Sequence, residues 1–200
     1  MSNQVDTDHP VLEIIVSRWS PYSFDERPVP DEDLLSLFEA ARWAPSSYNE
    51  QPWHYIVAKK ENKEEFERML SCLVEANRIW AQNVPVLALG ITRLNFVRNN
   101  KPNRAAIHDL GLASMNLVLE ATARGISIHQ MIGIEPDRVR TVYRVPEGFE
   151  PMTGLAIGYA TSPDRLPDEL QERDLTRRPR RPLKEFLFSG TWGNVWDHVA

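Results

Sequence analysis

The sequence predicts an α+β fold, and three observations lead there. Helical and strand-like stretches mix along the chain without the regular alternation of a βαβ series. The strand-like runs are short, β-branched or aromatic, and bounded by turn residues. The helical runs carry apolar residues at i, i+3 and i+4, the spacing of one buried helix face. With 200 residues the chain is long enough for a sizeable core. One domain is expected over residues 1–200, with 161–200 as an extended C-terminal arm.

Each element has a local reason. The first helix is expected after Asp8, with Pro10 in its first turn and Val11, Leu12, Ile15, Val16 and Trp19 on one face. Prolines from Pro21 to Pro30 break the pattern. A second helix carries Leu34, Leu37, Phe38 and Ala41, and Pro45 ends it. Trp53–Lys59 reads as a strand. Glu61–Trp80 shows a helical stripe of Phe66, Met69, Leu70 and Leu73. Val84–Thr92 reads as a buried strand. Ala105–Arg124 is a long helix closed by Gly125, apolar around so much of its girth that burial nearly all round is expected. A short strand at Ile126–Gln130, a helix from near Pro136 and a last core strand at Thr153–Ala160 follow.

Composition narrows the function. No run of about 18 apolar residues suggests a membrane span. The single cysteine, Cys72, excludes an intrachain disulfide and is expected to be a small buried residue. The polar, acidic start lacks a secretory signal, so a cytoplasmic location is expected. A net charge of −5 argues against nucleic-acid binding, although Arg173, Arg177, Arg178, Arg180 and Arg181 crowd into one segment. The five histidines have no metal-ligand spacing, so no metal is expected. His108 is expected to be a satisfied core histidine. Trp80, Phe96, Trp192 and Trp196 could line a pocket, but packing is the expectation for each. No glycine-rich dinucleotide or P-loop motif occurs.

Two segments carry the functional signal: Arg18-Trp19-Ser20-Pro21-Tyr22, and Ala44-Pro45-Ser46-Ser47-Tyr48-Asn49-Glu50-Gln51-Pro52-Trp53. Taken singly, each is compatible with helix-end and turn chemistry. Together with Val84-Pro85-Val86-Leu87, Asp109-Leu110-Gly111, Met131-Ile132-Gly133-Ile134, Gly158-Tyr159 and Arg180-Arg181-Pro182-Leu183, they resemble the nitroreductase family in order along nearly the whole chain.

That resemblance implies a nitroreductase-like fold: a central mixed or antiparallel sheet flanked by helices, with the C-terminal arm exchanged in a homodimer. It implies FMN as cofactor, NADH or NADPH as donor, and a small electron-poor acceptor in a ping-pong cycle. Other family reactions, such as dehalogenation or ring oxidation, and a non-catalytic flavin- or nucleic-acid-binding role stay open. The implied cofactor-binding residues are Arg18, Trp19, Ser20, Tyr22, Pro45, Ser46, Ser47, Asn49, Asn77, Met131, Ile132, Gly133, Arg178 and Arg180. Guanidinium forks suit a phosphate, and Ser20, Ser46 and Asn49 suit ribityl hydroxyls. In the family, the serine–asparagine loop reaches a flavin bound mainly by the other subunit. Gly133 could admit the flavin closely or be a turn glycine, and Asn77 could equally be a solvated helix residue. No side chain is expected as an acid–base catalyst, because hydride transfer needs positioning more than a proton relay. Tyr22 stands where many relatives have a cation. It is expected to leave the flavin harder to reduce unless another arginine fills the gap; the alternative is that it points away and only packs against the arm.

Overall fold

The computed structural model describes residues 7–176 and 179–199. Its centre is a four-stranded sheet of β1 (Trp53–Lys59), β2 (Val86–Arg93), β3 (Ser127–Met131) and β4 (Phe149–Gly158). The spatial order is β1-β2-β4-β3, and every neighbouring pair is antiparallel. These directions bring the start of β1 and the end of β3 to the same end of the sheet, but at opposite edges.

Among the described residues, seven α-helices surround the sheet: α1 (Glu13–Ser17), α2 (Asp31–Arg42), α3 (Lys63–Leu70), α4 (Glu75–Ala81), α5 (Ala106–Ala123), α6 (Pro136–Tyr143) and α7 (Asp168–Leu175). Side chains alternate across a strand, and β2 fills both faces. Leu87, Leu89 and Ile91 meet Phe66, Met69, Leu73, Trp80 and Val139 of the layer built by α3, α4 and α6. Val86 and Ala88 meet Leu37, Ala41, Ala113 and Leu117 of α2 and α5. The architecture is therefore α+β with a wholly antiparallel sheet, the class the irregular pattern predicts.

Four expectations need correction. The first helix begins at Glu13, not after Asp8, and Val11, Leu12 and Ile15 are exposed because none of the described residues covers them. The stretch 61–80 is two helices, with the stripe residues still buried. The break comes because the backbone of Cys72–Val74 pairs elsewhere: Glu135 N–H donates to the Cys72 carbonyl, Leu73 bridges Ile134, and Val74 N–H donates to the Gly133 carbonyl. The long helix α5 is covered nearly all round from Leu112 to Thr122 but open in its first two turns. Leu110, Ala113 and Leu117 are covered, while Ile107, His108 and Gly111 are open. Finally, β4 begins at Phe149, with a register shift opposite Gly90 and Ile91.

Cys72 is fully buried, and burial pushes its thiol up in pKa. Trp80 is buried as expected, whereas Trp192 and Trp196 meet only the rings of Phe188 and His198 among the described aromatic residues and stand exposed. Among the described residues, no helix is long and apolar enough to cross a membrane.

One residue of β4 tests the packing. A Cβ at Gly158 would lie 2.6 Å from Cδ and 2.7 Å from Cγ of Pro85. A proline ring cannot swing aside, so overpacking must be absorbed by the backbone. Gly158→Ala is expected to cost about 1–3 kcal/mol, read as a lower urea midpoint with an unchanged m-value.

Candidate functional site

The N-terminal motif lies against β3. His129 of β3 donates from Nδ1 to the Pro21 carbonyl at 2.9 Å. The acceptor can only be the carbonyl, so the imidazole carries its proton on Nδ1. The ring forms a three-ring cluster with Trp80 and Tyr22, each with its centroid 4.7 Å from that of His129. Burial is the main cause that holds this imidazole below the ordinary histidine pKa. The Arg18 charge acts the same way, while the Pro21 and Ser20 carbonyls and Asp174 oppose it. One turn before the proline, Arg18 Nη1 donates to Ser20 Oγ at 3.0 Å.

The same edge receives Met131-Ile132-Gly133, which continue β3. Asn77 of α4 donates from Nδ2 to the Gly133 carbonyl at 2.9 Å, so it is tied to this turn rather than solvated. A Cβ on Gly133 would fall 2.5 Å from Asn77 Nδ2 and 2.9 Å from Val74 Cγ2. Glycine is required there for α4 to approach the turn. Ile132 is exposed, and Met131 is buried in the core.

Tyr22 is half-buried. Its N–H donates to Asp174 Oδ1 of α7 at 2.9 Å, and its ring meets Trp80 and His129 edge-on. The arm therefore docks on the motif through α7. Trp19 is half-buried beside it, and Arg180, a few residues further along the arm, is exposed but not without partners. Arg178 lies outside the described residues.

The second motif is elsewhere. Pro45, Ser46, Ser47 and Asn49 precede β1, at the opposite sheet edge. Three strand spacings separate the edges, about 14 Å. Within this loop the Gln51 N–H donates to Ser46 Oγ at 3.0 Å. Tyr48, Asn49 and Gln51 all have left-handed φ values of 54°, 56° and 48°, a conformation that costs L-residues about 1–2 kcal/mol each and asparagine least. The loop is tied to the body by Ser47 N–H, which donates to Asp109 Oδ2 at 3.0 Å. Asp109 is buried in the first turn of α5. His108 is exposed, not a core histidine, and reaches only 3.4 Å from Asp109.

Asp109, which the motifs named without a role, and His129, which they did not name, emerge as supports. Among the described residues, no cluster of three or more histidine, cysteine or acidic side chains could hold a metal ion.

A family model described as the nitroreductase family matches residues 15–159. A solved structure described as an oxidoreductase containing FMN is 36% identical, superposes with a TM-score of 0.90, and is covered over 97% of this chain and 98% of its own. A nitroreductase family protein from Clostridium difficile 630 has a TM-score of 0.69 at 24% identity, over 92% of this chain and 99% of its own. A Methanothermobacter thermautotrophicus protein, provisionally named an NADH dehydrogenase/NAD(P)H nitroreductase, is 29% identical over 74% of this chain and 76% of its own. An uncharacterized 15.4 kDa protein of Mycolicibacterium smegmatis is 34% identical over 46% of this chain, which spans 61% of that protein's length. The chain belongs to the nitroreductase family and is an oxidoreductase of that class.

Two measurements check the supports. His129 is harder to protonate folded than unfolded, so its contribution to stability is complete above the ordinary histidine pKa of 6.5 and is lost as pH falls through the lowered folded value. His129→Asn, which keeps a donor at the Nδ1 position, should flatten that part of the stability–pH curve. Asp109→Leu removes the acceptor for Ser47 and should cost about 1–3 kcal/mol in denaturant unfolding. Asp109→Asn keeps an acceptor and should cost less.

Proposed function

We propose that this chain is an FMN-dependent NAD(P)H oxidoreductase whose flavin site is completed by a second copy. The observation that carries the reading is the division of the motif residues. Arg18, Ser20, Asn77 and Met131–Gly133 gather at the β3 edge, while Ser46, Ser47 and Asn49 present themselves at the β1 edge about 14 Å away.

The donor set fits FMN. Arg18, with Arg178 and Arg180 of the arm, supplies guanidinium for a phosphate dianion. Ser20 offers a hydroxyl to the ribityl chain, and the turn held by Asn77 offers backbone to the ring. Ser46 and Asn49 of the partner would close the site. Bound FMN supplies hydride transfer at N5, alternately from a nicotinamide and to a small acceptor such as a nitroaromatic, quinone or activated alkene. The chain's own contribution is to bind, orient and exclude water, and no side chain is required as an acid or base.

A homodimer also accounts for surfaces that the single chain leaves bare. Val11, Leu12 and Ile15 around α1, and Ile107 on α5, are exposed, as are Phe186, Trp192 and Trp196 of the arm. An arm laid across a partner would cover such groups. Obligate interfaces of this kind bury more than about 2,000 Å².

The test begins with flavin uptake. Arg18→Ala should weaken FMN binding about ten- to hundredfold, as for loss of a charged hydrogen bond, and riboflavin binding much less. A heterodimer of one Arg18→Ala chain with one Ser46→Ala/Asn49→Ala chain should then regain one high-affinity site, because both defects fall in the other site. Equal loss of FMN and riboflavin, or a heterodimer with two weak sites, would count against the assignment.

A further inference from the structure

Between Ser47 and Asn49 stands Tyr48, with its side chain turned out. It is 73% exposed. Its ring meets Phe96 edge-on, with centroids 5.9 Å apart at 85°. The guanidinium of Arg98 lies over both, 4.0 Å from the Tyr48 centroid and 5.1 Å from that of Phe96. Phe96 and Arg98 belong to a tight turn beyond β2. Asn95 bridges Pro102, Phe96 N–H donates to the Lys101 carbonyl at 2.9 Å, and Asn100 N–H returns to the Phe96 carbonyl at 2.9 Å. Glu50 ties the two loops together by accepting from Val97 N–H. The cluster is thus braced from both sides without a core beneath it.

Its composition selects a ligand. Arg98 has no carboxylate partner among the described residues, and stacking on an aromatic face leaves the N–H groups around its edge available. Those donors match the two oxygens of a carboxylate. The exposed Tyr48 ring offers a flat apolar face beside them. A wall of aromatic residues alone would not distinguish an anionic ligand from a neutral one of the same shape.

We propose that Tyr48, Phe96 and Arg98 form the acceptor wall of the site and favour planar aromatic acids over neutral aromatics. The inference rests on the flavin reading above, since it is the position of Tyr48 within the Ser46–Asn49 loop that brings the cluster to the cofactor.

Benzoate and benzamide, alike in shape and different in charge, are the probes. Each is titrated into the FMN-loaded protein, and binding is followed by the change in the flavin's visible absorption. Benzoate should bind about tenfold more tightly than benzamide, the gain of one charge-assisted contact. Arg98→Gln should erase the difference by weakening benzoate alone, and Arg98→Lys should restore part of it. Tyr48→Leu should weaken both ligands. Equal affinities in the natural protein, or a benzoate preference that survives Arg98→Gln, would overturn the inference and leave the flavin reading intact. A protein that takes up no FMN would be seen before any probe is added, and would remove both.

Discussion

β2 and the second half of β4, Gly154 to Gly158, bury both of their faces, so neither side of the sheet can be left to solvent. Everything else is arranged around that constraint. Two helical layers are required, and their thickness is set by what the strands present to them. On the layer facing α3 and α4, β4 offers Gly154, Ala156 and Gly158 in succession, which lets Leu73, Pro85 and Phe24 come close to the backbone. On the other face Leu155 and Ile157 fill the space beneath α5. Polar chemistry is thereby pushed out of the sheet's centre to its two edge strands and to the loops at one end.

Two polar groups, Asp109 buried and His129 half-buried, connect function-bearing loops to the body. His129 reaches from β3 to the Pro21 carbonyl, and Asp109 reaches from α5 to the Ser47 amide. Each bond contributes modestly by itself, but leaving either partner unsatisfied in a buried place costs more than the bond gains. Both loops have other anchors as well: Tyr22 packs on Trp80 and His129, Phe24 is buried in the core and bridges Ala160, and Glu50 accepts from Val97 N–H. The bonds from His129 and Asp109 add to these in placing Arg18 and Ser46.

Much of this was legible in the sequence. Trp53–Lys59 is a strand to the residue because its β-branched run is bounded by Pro52 and by charged turn residues. The length and closure of α5 followed from its apolar run and Gly125, which adopts φ 69°. The break at Cys72–Val74 was not legible, because the residues that cause it, Gly133 to Glu135, lie far along the chain. The same holds for the site. Local motifs named Arg18, Ser20, Ser46 and Asn49 but not their separation, which depends on strand order. His129 and Asp109 act through contacts spanning 108 and 62 residues, so no window around either shows its role.

The left-handed run at Tyr48, Asn49 and Gln51 has a consequence for susceptibility. A loop that spends conformational energy to keep its shape opens locally at a fraction of the free energy of global unfolding. In an isolated chain, the peptide bonds from Ser46 to Gln51 would be among the first exposed to a protease and the fastest to exchange their amide hydrogens. A neighbouring molecule laid over that loop would suppress both. Cleavage between Ser46 and Gln51 would therefore act as a native gauge of how much of the protein stands alone.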